Sequence, residues 1–282
     1  MTSDIEKSFK SKLRTLAHEQ HRDPADLWQT LMLERFLARL AHTPISKHFV
    51  LKGAILLSRY IDIGRETRDL DFLARNISSK IDHLQRVFED IVEIDLQDGF
   101  KFENVRTVEL KHPHMGYPGA EVTMLCHFGK TRSKISIDLG FGDIVEPLEH
   151  LIQLMHSAKG PLFETAVRLK CYPKEFIFAE KLETVIYRGA LNSRMKDFHD
   201  LHSLVNHSHA HPFDRLHEIL KLVFEHRQTP LTLPLKFTET EIKQLQSFWS
   251  GYLKRLKQER ARELPQEIET LIEIVNNTIY RK

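Results

Sequence analysis

The segment Asp69-Leu70-Asp71-Phe72-Leu73 alternates carboxylates with hydrophobes. In a strand, residues i and i+2 project from the same face, so Asp69 and Asp71 stand side by side, roughly 6–7 Å apart at their Cα atoms. Leu70 and Phe72 then point inward. Two like charges at that spacing repel, and a strand does not need them. A hard divalent cation held by carboxylate oxygens is the usual reason to keep such a pair; a solvated strand end is the structural alternative. Upstream, Phe49, Val50 and Leu51 read as a short strand broken at Gly53, and Ala54 to Tyr60 repeats apolar residues at helical spacing. A strand–glycine–helix turn aims backbone N–H groups at an anion. The missing side chain lets a phosphate approach the backbone closely. Fifteen residues separate Gly53 from Asp69, enough for one helix and a return to the adjacent strand. A phosphate-cradling turn beside a carboxylate pair is the arrangement phosphoryl transfer requires. Arg68, beside Asp69, is placed to hold a further phosphate oxygen.

These residues carry a resemblance. A hydrophobe and glycine followed at this spacing by D-h-D-h is the pattern of the nucleotidyltransferase superfamily. The longer string FVLKGAILLSRY…RETRDLDFL closely resembles the AbiEii/AbiGii-type toxins, the nucleotidyltransferase halves of bacterial toxin–antitoxin pairs. The resemblance implies that Lys52, Gly53 and Ala54 belong to a nucleotide-binding turn and that Asp69 and Asp71 hold metal. Ala54 departs from the pattern, since many superfamily members carry Gly or Ser there; a serine hydroxyl is missing while the backbone N–H remains.

Further along, Lys134-Ile135-Ser136-Ile137-Asp138-Leu139 alternates cleanly, with Lys134, Ser136 and Asp138 on one face. The superfamily commonly takes a third carboxylate from a strand adjacent to the D-x-D strand, and Asp138 is the matching position. Asp143, in the following loop, reads as structural. Over Pro173–Ala190, helical spacing places Phe178, Leu182, Val185 and Gly189 on one stripe flanked by Lys181 and Arg188, with Glu180 and Glu183 on the far side. The family helix pattern that Glu180-Lys181-Leu182 matches supplies a lysine to the nucleotide phosphates, which implies that role for Lys181. The next helix, opening Arg194-Met195-Lys196-Asp197, matches the family signature R-x-K-D-x-x-D-L. Its wheel turns Asp197 partly inward, near Leu204, while Lys196 and Asp200 lie opposite. An inward carboxylate needs a partner, and Lys181 or Arg194 is the candidate. The resemblance implies that Asp197 is essential.

Other elements must position these residues. Residues 3–20 and 24–42 read as amphipathic helices packed on the sheet, the second opened by Asp23-Pro24. Glu34 and Arg35 read as solvated helix-face charges. Ser79-x-x-Asp82 reads as a capping box ahead of a helix, and Val105–Lys111, Ala120–His127 and Ser133–Leu139 as strands. Turn-rich HPHMGYPG joins the first two of these strands; His112 and His114 lack Cys or acidic partners at ligand spacing. Residues 140–172 read as an irregular connection, and the remainder as helices, with a capping box at Thr238-x-x-Glu241. His207, His209 and His211 read as a solvated loop. The run KRLKQERAR at 254–262, after Trp249 and Tyr252, reads as a basic exposed helix that could guide a nucleic acid or an antitoxin, or be a solvated face.

Composition sets the bounds. The chain has 282 residues, 41% hydrophobic and 28% charged, with a formal net charge of +2, as a soluble globular protein does. No apolar run approaches a membrane span and the N-terminus lacks a signal h-region. Two distant cysteines argue against a disulfide framework and for the cytoplasm. The small net charge confines any RNA footprint to a local patch.

The expected fold class is α+β: a nucleotidyltransferase-type small mixed sheet with flanking helices (45–145), a helical N-terminal extension (1–44) and a helical C-terminal part completing the nucleotide site (146–282). The expected metal ligands are Asp69, Asp71 and Asp138, taking Mg2+ or Mn2+. Nucleotide contacts fall to Lys52, Gly53, Ala54, Arg68, Lys181, Arg188 and Arg194. The resemblance further implies a toxin opposed by a cognate antitoxin, using an NTP and an RNA acceptor, tRNA first. Transfer to a small-molecule or protein hydroxyl, and a catalytically inactive binding module, are the alternative readings.

Overall fold

The computed structural model describes residues 3–110, 119–208 and 212–280; His112, His114, His209 and His211 lie outside these. The chain forms two compact units. One comprises Met1–Arg59, Glu66–Asp143 and Pro147–Tyr172; the other Tyr60–Arg65, Ile144–Glu146 and Pro173–Lys282. Among the described residues, no helix is long and apolar enough to cross a membrane.

The first unit opens with α1 (Ser3–Glu19) and α2 (Pro24–Ala41), followed by β1 (Phe49–Lys52), α3 (Gly53–Tyr60), β2 (Asp69–Ala74) and α4 (Ile81–Val92). Strands β3 (Phe100–Leu110), β4 (Gly119–Phe128), β5 (Thr131–Phe141) and β6 (Leu148–Gln153) come next. Two short strands, β7 (His156–Ser157) and β8 (Gly160–Pro161), pair with each other, and β9 (Ala166–Cys171) follows. The remaining seven form a mixed sheet in the order β3-β4-β5-β2-β1-β9-β6. Its period-two pattern sorts the residues cleanly. Leu70, Phe72, Ile135, Ile137, Leu139, Val122 and Met124 are buried on one face, which α2 and α4 cover. Phe36 of α2 stacks on Phe88 of α4, and Phe88 meets Phe49 edge-on. The opposite face is polar.

Three sequence expectations are corrected here. Residues 140–172 are not an irregular connection: β9 pairs parallel with β1, Leu51 opposite Cys171, and β6 forms the sheet edge beside it. Glu34 and Arg35 are not solvated; each is 1% exposed. Helix α2 is buried on nearly all sides, so its charges must find partners. Arg35 and Arg39 share Asp98, at 2.7 and 2.9 Å, and Arg35 also meets Glu164. Glu34 takes Arg59 and the Met155 N–H. Third, no capping box forms at Ser79: α4 starts one residue later, with Lys80 as an N-cap lacking a side-chain bond, and Asp82 acts only as a first-turn acid. Strand β3 begins before Val105 because a bulge between Glu103 and Arg106, with Asn104 at φ +55°, breaks the alternation that marks a strand.

The second unit contains α5 (Lys174–Arg188), α6 (Met195–Ser208), α7 (Leu216–His226), α8 (Glu239–Leu253), α9 (Gln258–Arg262) and α10 (Ile268–Tyr280). Phe178, Leu182, Val185, Phe198, Leu201, Leu204 and Trp249 form its core. The capping box at Thr238 and Glu241 is present in both directions. Because α5 packs against both α6 and α7, its supposed far side is covered too. Glu183 is buried against Arg227 and Thr229, and Glu180 meets Arg227 at 3.3 Å. The basic run is not one helix, since α8 stops at Leu253 and α9 starts at Gln258. Trp249 is fully buried, its Nε1 donating to the Pro265 carbonyl at 2.8 Å, so it does not join a basic surface.

Candidate active site

In the first unit, strand register builds the site. Lys52 on β1 lies opposite Asp71 on β2, Asp71 opposite Asp138 on β5, and Asp138 opposite Glu121 on β4. Residues directly opposite share a face, so four adjacent strands carry Lys52, Asp71, Asp138 and Glu121 in one row. Asp69 occupies the next rung, opposite Ser136. All of these side chains lie on the polar face and are partly exposed. Adjacent strands are about 4.8 Å apart, and like charges directly opposite destabilise a sheet. Three carboxylates in a row therefore call for positive charge. Thr67 Oγ1 donates to Asp69 at 3.1 Å and Ser136 Oγ to Glu121 at 2.7 Å, but neutral donors offset little of it. Sequence reading missed Glu121; its signal was the polar alternation of Glu121 and Thr123 within an otherwise apolar strand.

Gly53 begins α3 immediately beside this row. Its φ is +72°, and a Cβ built there would fall 1.8 Å from Asp71 Oδ2. The glycine thus serves two purposes, a left-handed turn and the close approach of the Asp71 carboxylate. Ala54 is buried, leaving its backbone N–H in the first turn of α3. Arg68 bonds Asp26 at 2.9 Å, with its side chain 76% exposed.

Among the described residues no group of three His, Cys, Asp or Glu side chains is placed to hold a metal ion. The donors nevertheless suit a hard cation: they are all carboxylates, they lie in register, and they border an open turn. Magnesium is commonly held by one or two carboxylates with water and substrate phosphates completing its shell, so an open row suits it.

The second unit gathers a different set. Lys181 Nζ lies 2.7 Å from Asp200 Oδ2 and 3.3 Å from Asp197 Oδ1. Arg194 Nε donates to Asp197 at 2.8 Å, as expected of an inward carboxylate. Asp200 also accepts two bonds from Arg65, at 2.8 and 2.7 Å. The wheel placed Asp200 on the outer side, but it is completely buried. Its signal was already present as the last acid of R-x-K-D-x-x-D-L. Burial alone would pull Lys181 down, but Asp200 and Asp197 outweigh it and hold the ammonium above its ordinary pKa. Burial would likewise raise Asp200; Lys181 and Arg65 instead hold it well below the carboxylate range. Lys181 and Asp200 are therefore both ionised at neutral pH. Arg188 is the last residue of α5, about two turns beyond Lys181.

His199 of α6 is buried beside this cluster, its Nδ1 2.7 Å from the Tyr252 hydroxyl. Burial pushes its pKa down from 6.5 to about 4, with Arg65, His202 and Arg260 acting the same way and Asp200 opposing. A depressed pKa means that the unfolded chain binds more protons between about 6.5 and 4. Stability is thus full above 6.5 and falls as pH drops through that window. Urea midpoints should decline by the equivalent of about 2–3 kcal/mol from pH 7 to 4.5. His199→Gln should flatten the profile, and an unchanged slope in that variant would sink the assignment. Cys126 and Cys171 are buried free thiols, pushed up to about 12 by burial, and do no chemistry at neutral pH.

Against known proteins, the family model for the nucleotidyl transferase AbiEii toxin of type IV toxin–antitoxin systems matches residues 35–273. No curated protein sequence matches. Among solved structures, a Helicobacter pylori chain described as a candidate nucleotidyltransferase is similar, at 17% identity and a TM-score of 0.51. The match covers 91% of this chain and 97% of that one, and at this identity it shows the fold alone. A second Helicobacter pylori structure covers 91% of this chain and 94% of its own at 16% identity, with a TM-score of 0.47.

Proposed function

Since the chain belongs to the AbiEii nucleotidyl transferase toxin family and is a nucleotidyltransferase, we propose that it transfers a nucleoside monophosphate from an NTP to the 3′ hydroxyl of an RNA, tRNA first. Asp69, Asp71 and Asp138 would hold magnesium or manganese, which when bound neutralises phosphate charge and activates the attacking oxygen. The observation that carries this reading is the register placing Asp71 opposite Asp138, beside a glycine whose missing Cβ leaves room for the Asp71 carboxylate.

The remaining work falls to the chain itself. The acceptor oxygen attacks the α-phosphorus, its proton passing to Asp138, while the bond to the β-phosphate oxygen breaks and pyrophosphate leaves. Backbone N–H groups at Gly53 and Ala54 receive phosphate oxygens at the start of α3. Lys52 and Arg68 add cationic contacts. On the family's helix pattern we assign Lys181, kept charged by Asp200 and Asp197, to the nucleotide phosphates, and Arg188 and Arg194 to nucleotide binding. The family implies an antitoxin partner as well.

The test uses purified protein, deacylated tRNA, each α-labelled NTP, and magnesium or excess EDTA. Label at the tRNA 3′ end, lost in EDTA, is the expected result. Label on protein or on a small molecule instead would overturn the RNA acceptor. No transfer with any NTP or acceptor would overturn the reading as a whole.

A further inference from the structure

Asp143, the ion-pair partner of Lys52 on the polar sheet face, has no place in this scheme. Asp143 follows β5 by two residues, yet its carboxylate returns over that strand. Gly142 adopts φ +77°, and a Cβ added at Gly140, two residues after Asp138 on the same face, would lie 3.9 Å from Asp143 Oδ2. The Asp143 side chain is 2% exposed, and its Oδ2 lies 2.9 Å from Lys52 Nζ, whose side chain is 18% exposed. The same ammonium stands over the Tyr172 ring, 5.0 Å from its centroid. Tyr172 is fully buried and anchored by its N–H to the Leu51 carbonyl at 3.0 Å. A buried anion and a buried aromatic ring thus fix a lysine that borders both Gly53 and Asp71. Asp143 is too enclosed to touch a substrate, and its ion pair with Lys52 links it to the row.

We propose that Asp143 is a positioning residue for nucleotidyl transfer, holding the Lys52 ammonium at the Gly53 end of the carboxylate row to meet the triphosphate of the incoming nucleotide. The inference rests on the transfer reading above. A lysine stem is flexible and loses entropy whenever it is ordered; a fixed ammonium makes that loss during folding rather than during nucleotide binding.

Steady-state kinetics on Asp143→Asn, Lys52→Met and the double variant test it. Asp143→Asn should raise the nucleotide KM about tenfold, the lower end of what a hydrogen bond to a charged group is worth, and leave the acceptor KM unchanged. Lys52→Met should do the same, and Asp143→Asn should add nothing in the Lys52→Met background. Multiplicative losses in the double variant, or an equal rise in acceptor KM, would overturn the proposal. Should Asp143→Asn fail to fold, Lys52→Met still decides, because an unchanged nucleotide KM there is equally fatal. If the wild type transfers nothing, the transfer reading fails; if it transfers and both variants match it, only this inference fails.

Discussion

Replacing Gly53 with alanine should silence nucleotide transfer. The new methyl would lie 1.8 Å from Asp71 Oδ2 and 2.5 Å from its Cγ, far inside any contact distance. Neighbouring atoms must move, and the flexible element is the Asp71 side chain itself, so the clash resolves by rotating a proposed metal ligand out of the row. A displacement of about 1 Å at a reacting centre can cost on the order of 10²-fold in rate, and this displacement is larger. The left-handed backbone adds strain of about 1–3 kcal/mol for a non-glycine residue. Single-turnover rates and thermal unfolding should be read together. Gly53→Ala should lower both, while Gly53→Ala combined with Asp71→Gly should recover much of the stability and none of the activity. A single variant that transfers at the wild-type rate would show that Asp71 is not held where its oxygens matter.

The second large effect is on stability. Asp200→Ala is expected to destabilise the second unit by about 3–5 kcal/mol, the usual loss when one partner of a buried ion pair is removed. The reason is uncompensated charge. Asp200 is completely buried and receives Lys181 and both arms of the Arg65 fork, so its removal takes the carboxylate from Arg65 and leaves Lys181 with the longer Asp197 contact. Asp197→Ala should cost less, because one of its partners, Arg194, has a side chain 46% exposed and can turn to solvent. Equal urea midpoints for the two variants would refute this ranking. Since Asp200 has a depressed pKa, its contribution is present above about pH 4 and is lost only as pH falls further. Acid destabilisation at milder pH should then trace to His199 and His202, both held down by burial, not to this cluster.

Some of this was written in local sequence and some was not. Strand, glycine, helix and D-x-D lie within twenty-five residues, Phe49–Leu73, and short-range periodicity with one forced turn specifies them. The same holds for Asp138 on its alternating strand, and for Asp197, whose inward turn followed from helical spacing. The capping box at Thr238 is likewise local.

What failed depended on distant chain. Residues 140–172 looked irregular because β6 and β9 become strands by pairing with each other, and β9 also with β1 more than a hundred residues earlier, and no local pattern announces that register. Glu34, Arg35, Glu183 and Asp200 looked solvated because a helical wheel divides one helix into inside and outside. Helices α2, α5 and α6 are each covered from more than one side, so their charges are buried and must be paired. The same limit hid Asp143: only the folded-back turn at Gly140 and Gly142 brings it to Lys52. Local sequence determined which residues could do chemistry, since side-chain type and period are properties of a few neighbouring residues. Tertiary structure decided which charges meet, because pairing energies depend on burial and distance that only the assembled core supplies.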